Sequence, residues 1–177
     1  MERFFVITGG PGAGKSSLIE ALAARGLGQM PEAGRAIIQD QQAIGGNALP
    51  WGDRQGFAEL MLGWELRSYR EAQRRDGVVV FDRGIPDVIG YLLVCGLPVP
   101  AHLRRAAEVF RYHRRVFIAP PWPEIYRQDA ERKQSAEAAR ATHDTMLRVY
   151  AELGYEPVPL PLAGVEDRAR FVLSRLG

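Results

Sequence analysis

Phe4-Phe5-Val6-Ile7-Thr8-Gly9-Gly10-Pro11-Gly12-Ala13-Gly14-Lys15-Ser16-Ser17 decides how this chain is read. Phe4 to Ile7 are continuously apolar, which suits a strand covered on both faces. Gly9 to Ser16 match G-x-x-x-x-G-K-[ST], and the helical pattern Ser17-Leu18-Ile19-Glu20-Ala21-Leu22 follows. Strand, motif and helix in that order are the setting in which this motif binds phosphate. Glycines let backbone N–H groups turn inward around an anion without Cβ clashes. The helix N-terminus adds free donors and partial positive charge. The candidate nucleotide-binding residues are therefore Gly9, Gly10, Pro11, Gly12, Ala13, Gly14, Lys15, Ser16 and Ser17. Lys15 can reach the β- and γ-phosphates of ATP, and the Ser16 hydroxyl can bind Mg²⁺. The competing explanation is a chance glycine turn, and both flanks argue against it.

Outward from this motif, apolar runs of strand length alternate with longer amphipathic stretches, the pattern of an α/β domain with a parallel sheet. Strands are expected at Phe4–Thr8, Gly28–Glu32, Val78–Asp82, Val116–Ala119 and Glu156–Leu160. The second is the weakest pattern, because Pro31 removes a ladder donor. Helices are expected at Lys15–Arg25, Gly34–Gln42, Asp53–Arg75, Pro86–Val94, Ala101–Tyr112, Ala136–Leu153 and Val165–Leu176. Asp53 is placed to cap the third, whose Phe57, Leu60, Met61 and Trp64 form one apolar face. Gly154 stops the sixth. Residues 45–52 read as an exposed loop, in which Trp51 either stacks on a flat ligand or packs at the surface.

Three further segments carry chemistry. Val78-Val79-Val80-Phe81-Asp82-Arg83-Gly84 is an apolar strand ending in a carboxylate. In a parallel sheet that end lies beside the phosphate loop, so Asp82 either joins Ser16 in holding Mg²⁺ or caps a turn made by Gly84 and Pro86. Arg83 faces either a substrate anion or a structural carboxylate. In Pro31-Glu32-Ala33-Gly34-Arg35, Glu32 can accept a proton from an acceptor hydroxyl at the same edge, or favour the positive end of the next helix. Glu32, Arg35, Asp53 and Arg83 are the candidates on the acceptor side. Finally, Tyr126-Arg127-Gln128-Asp129-Ala130-Glu131-Arg132-Lys133 follows the stiff Pro120-Pro121-Trp122-Pro123. It is either a lid around residues 124–135 that brings cations onto a transferring phosphoryl group, or a solvated helix face.

Composition narrows the class. The chain has 177 residues, 46% hydrophobic and 25% charged, the balance of one soluble globular domain over 1–177. A full hexameric AAA+ module needs roughly 200–250 residues, more than are present. The net charge of +2 argues against a nucleic-acid partner. Among 23 Lys and Arg residues, only Lys15 and Lys133 are lysine. A GC-rich genome accounts for the excess of arginine, and a lysine retained against that drift marks a place where a compact ammonium works and a planar guanidinium does not. The single cysteine, Cys95, excludes an internal disulfide and reads as a buried inert thiol. His102, His113 and His143 lack ligand spacing and read as ordinary helix residues. With no apolar run of membrane-spanning length and no signal-peptide pattern, a cytoplasmic protein is expected. Nothing here sets an oligomeric state.

Val6 to Ser17, Pro31-Glu32-Ala33-Gly34-Arg35, Phe81-Asp82-Arg83-Gly84 with Pro86-Asp87, and Tyr150 to Val158 followed by Pro161 together resemble a family of small bacterial P-loop proteins. These are known as AAA-domain ATPases and are related to the ribosylnicotinamide kinase domain of NadR. The likeness spans nearly the whole chain. It implies the three-layer P-loop fold of nucleoside and nucleotide kinases, a parallel five-stranded sheet with the P-loop strand in the middle. It also implies that Glu32 orients an acceptor hydroxyl, that Asp82 is the acid ending the third strand, and that Arg127 and Arg132 are lid arginines. Pro161-Leu162-Ala163-Gly164 would cover adenine. No nucleoside-specificity motif carries over. The expected activity is ATP- and Mg²⁺-dependent phosphoryl transfer to a small-molecule acceptor. The alternatives are a nucleotide-dependent switch acting on a protein, and a kinase of nucleic-acid ends.

Overall fold

The computed structural model describes residues 2–122 and 136–176. Five strands form one parallel sheet: β1 (Phe4–Gly9), β2 (Gly28–Met30), β3 (Val79–Asp82), β4 (Arg115–Ala119) and β5 (Glu156–Pro159). Their order is β2-β3-β1-β4-β5, so the strand leading into the glycine motif is central, as expected. Seven described helices accompany them: α1 (Lys15–Ala23), α2 (Ala33–Ile44), α3 (Arg54–Gln73), α4 (Ile85–Val94), α5 (Ala101–Val109), α6 (Ala136–Glu152) and α7 (Val165–Leu173).

The apolar runs are explained by cover on both faces. Phe4 and Val6 join Val79, Phe81 and Val116 in a core closed by α3, α4, α5 and α6. The alternate residues Phe5 and Ile7 join Val80 and Phe117 in a second core closed by α1 and α7. Period-two alternation thus sends successive side chains of β1 into different layers, and neither layer is polar. Asp53 caps α3, accepting from the Gly56 amide at 2.9 Å. Gly154 ends the sixth helix with φ 78°.

Four expectations are corrected. The second strand ends at Met30, not Glu32, because Pro31 has no N–H for the ladder and Glu32 already stands at the N-cap of α2. The fifth helix stops at Val109, three residues short of Tyr112. His113 lies beyond that helix, its ring stacked 4.1 Å from that of Phe5. Cys95 is half-buried rather than buried, because it is the C-cap of α4. Among the described residues no helix is long and apolar enough to cross a membrane.

Gly9 ends β1 at φ 126°, paired with Ala119 of β4. A Cβ there would stand 2.4 Å from the Ala119 carbonyl oxygen, a backbone atom that cannot swing aside. Gly9→Ala is therefore expected to destabilise the protein by about 3 kcal/mol or more, from overpacking and a disfavoured backbone angle together. Urea unfolding checks this; a loss under about 1 kcal/mol contradicts the close approach.

Candidate nucleotide and acceptor site

The carboxyl ends of β1, β3 and β4 form the edge at which open parallel sheets bind ligands. At the end of β1 the chain enters the glycine loop, where Gly12 and Gly14 take φ 73° and 74°. Lys15 opens α1 and is 6% exposed. Its ammonium donates to the carbonyls of Gly10 at 2.9 Å and Gly9 at 3.3 Å. Burial, reinforced by Arg83 and opposed by Asp82, Glu32 and Asp87, pulls its pKa down to about 8. Ser16 and Ser17 are exposed on the first turn of α1.

Arg83 follows β3 with φ 72°, the one positive φ on a non-glycine among the described residues. Such a conformation costs about 1–2 kcal/mol and persists where the surroundings over-determine it. Its amide donates to Ile7 at 3.0 Å. Its guanidinium donates to Glu32 Oε1 at 3.1 Å, to the Gly9 carbonyl at 3.0 Å and to Asp87 Oδ1 at 3.3 Å. Of the two kinds of partner the sequence offered, carboxylates are the ones Arg83 contacts here, those of Glu32 and Asp87. Burial opposes its charge, yet Glu32, Asp87 and Asp82 outweigh that and hold it above the ordinary arginine range.

Glu32 stands at the N-cap position but makes no side-chain cap bond. Burial alone would raise its carboxyl, but Arg83, Lys15 and Arg35 together hold it below its ordinary value, so it is charged at neutral pH. Asp82 behaves oppositely: burial, with Glu32 and Asp87 adding, raises its carboxyl despite Lys15 and Arg83. Asp82 Oδ1 is buried with no hydrogen-bond partner among the described residues. A bare carboxylate oxygen and the Ser16 hydroxyl are the hard donors Mg²⁺ takes. Among the described residues no group of three or more His, Cys, Asp or Glu could hold a metal.

The fold thus gathers Lys15, Glu32, Asp82 and Arg83. Arg35 is exposed beside them and acts on Glu32 through its charge. Asp53 instead caps α3 and makes no bond to this cluster among the described residues. Pro161 bonds to Arg168 through its carbonyl. Arg127 and Arg132, with the segment 124–135, lie outside the described residues.

Two acids complete the cluster that sequence reading did not single out as site groups. Asp87, 5% exposed, accepts from Thr8 Oγ1, from Tyr150 OH at 2.6 Å and from the Gly84 amide at 3.0 Å, besides Arg83. Its signal is local: an acid three residues past Gly84 is the N3 position of α4. Glu65, 4% exposed, lies on the core-facing stripe of α3 between Leu62 and Tyr69. Burial, then Asp87 and Asp82, push its carboxyl well above the ordinary range. No local pattern announces it.

A family model described as an AAA domain matches residues 4–168. No curated protein matches the chain. Among solved structures, deoxyadenosine kinase from M. mycoides with the products dCMP and a flexible dCDP superposes with a TM-score of 0.70 at 13% identity, covering 98% of each chain. The same enzyme with bound dATP gives 0.65 at 14%, again over 98% of each. Shikimate kinase from Acinetobacter baumannii in complex with shikimate gives 0.56 at 16%, over 98% of this chain and 92% of that one. At these identities the likeness establishes the fold.

Proposed function

The chain belongs to the AAA-domain family, and on that premise we propose that it is an ATP- and Mg²⁺-dependent kinase of a small-molecule acceptor. One observation carries this reading. The Arg83 guanidinium touches both the first carbonyl of the phosphate loop, Gly9, at 3.0 Å and the Glu32 carboxylate at 3.1 Å. A charged acid is thereby held one guanidinium's width from the start of the phosphate loop. Such a group can orient an acceptor hydroxyl and take its proton. The solved structures of like fold, small-molecule kinases by name, support the same reading.

In this reading the loop amides and Lys15 hold the β- and γ-phosphates. Ser16 and Asp82 would hold Mg²⁺, whose charge offsets that of the phosphates. Glu32 accepts the hydrogen bond of the acceptor hydroxyl and takes its proton late, as a loose transition state allows. Arg83 keeps Glu32 ionised and oriented. Asp87, bonded to Thr8, Tyr150 and Gly84, keeps Arg83 in its strained conformation.

The direct test is ATP consumption against panels of nucleosides, nucleotides and phosphorylatable antibiotics. Strong stimulation by one acceptor is expected. Stimulation by none, together with nucleotide-gated binding of a protein, would replace the kinase with a switch. Asp82→Asn tests the metal assignment. It keeps the shape and removes the charge, so ATP binding should survive better than turnover. Turnover within about threefold of wild type at saturating Mg²⁺, worth less than roughly 1 kcal/mol, would refute that assignment.

A further inference from the structure

Arg168 is a cation in an apolar layer. It lies on the inner face of α7 with Ala169 and Val172, and it is 2% exposed. Its Nη1 donates to the carbonyl of Ala13, in the phosphate loop, at 2.7 Å. Its Nε donates to the carbonyl of Pro161, in the turn after β5, at 2.8 Å. Its guanidinium carbon stands 4.6 Å from the ring centroid of Trp122, after β4. Nη2 is buried with no hydrogen-bond partner among the described residues. Burial lowers its pKa, and no carboxylate among the described residues opposes that.

A buried guanidinium held by two carbonyls and a ring is a poor way to stabilise a core, since an apolar side chain of similar volume does as well or better. The three segments it joins are the phosphate loop and two loops at the same sheet edge. The peptide from Ala13 to Gly14 is trans, so its C=O and N–H point in opposite directions. Anchoring the Ala13 carbonyl on Arg168 therefore turns the Gly14 amide away from α7, as an anion cradle requires. By the same guanidinium the turn 161–164 and the Trp122 ring are held at a set distance from that cradle. A ligand matched to this frame carries polyphosphate at one end and a flat ring at the other.

We propose that Arg168 is a positioning residue that joins the phosphate loop to the Pro161 turn and Trp122, so that the site prefers a nucleoside triphosphate to bare polyphosphate. This rests on the ATP reading above and deepens it.

Calorimetric titration of the whole chain in Mg²⁺ with a non-hydrolysable ATP analogue, and separately with inorganic tripolyphosphate, tests it. Wild type should bind both and prefer the nucleotide. In Arg168→Met, tripolyphosphate affinity should fall by about threefold, because the Gly14 amide loses its anchor while Lys15 and the glycines remain, and nucleotide affinity by about thirtyfold. Arg168→Lys keeps the charge but cannot bridge two carbonyls and stack, so the preference should fall by about tenfold. Trp122→Leu should lower it by about threefold, as loss of a cation–π contact would. Should the Arg168 variants fail to fold, Trp122→Leu decides. An unchanged preference in the folded variants overturns the proposal, because a merely structural residue would weaken both ligands alike. Equal affinity of wild type for both ligands also overturns it. Wild type binding neither ligand would refute the ATP reading itself.

Discussion

Lys15→Ala is expected to abolish turnover and to weaken ATP binding by about a hundredfold or more, since a desolvated cation on polyphosphate carries several kcal/mol. Lys15→Arg should fail nearly as badly. The Lys15 ammonium is buried on the Gly9 and Gly10 carbonyls, inside a loop whose glycines leave room for a compact head and not for a planar fork. A second readout follows from its pKa of about 8. Below that pH the free protein holds the lysine protonated and ready for phosphate. Above it the proton must be supplied on binding, so ATP affinity should fall by about tenfold per pH unit as pH rises past 8. Isothermal titration with a non-hydrolysable analogue from pH 6.5 to about 9.5 measures both. Near-native affinity in Lys15→Arg would dispose of the argument from scarce lysines. A flat profile would contradict the burial of the ammonium.

Glu32→Gln should lower acceptor phosphorylation by about a hundredfold while leaving ATP affinity and background hydrolysis little changed. Glutamine keeps the volume but neither takes a proton nor holds Arg83 through charge. Phosphate cradling and attack by water do not need the carboxylate. The measurement is the ratio of acceptor phosphorylation to background hydrolysis in wild type and variant, with the acceptor found in the consumption screen. An unchanged ratio would leave Glu32 as the structural partner of Arg83 and place any base elsewhere. A loss confined to hydrolysis would favour the switch.

How far such roles were legible depended on the range of the interaction that creates them. The glycine motif, its strand and its helix are contiguous, and local stereochemistry alone demands glycine at Gly12 and Gly14. β1, β3 and β4 announce themselves because strands covered on both faces must be apolar throughout. The Asp53 cap and the Gly154 stop were legible for the same local reason. β2 was overextended because Pro31 weakens a ladder without saying where the chain turns.

Composition and pattern alone determined a parallel α/β chain with a phosphate loop at its centre and an acid at the end of β3. Whether Glu32 caps a helix or serves a ligand was undecidable from its neighbours. Its partner in the fold is Arg83, 51 residues away, whose guanidinium reaches it only when β2 and β3 pair in register. Arg168 is the extreme case. Val165-Glu166-Asp167-Arg168-Ala169-Arg170 reads as a charged, solvated stretch of helix. Only the docking of α7 against α1 brings that one arginine onto the Ala13 carbonyl, 155 residues earlier. Chain order sets which side chains are available, but desolvation and hydrogen-bond direction are properties of the packed neighbourhood, and these decide which charge becomes part of a site.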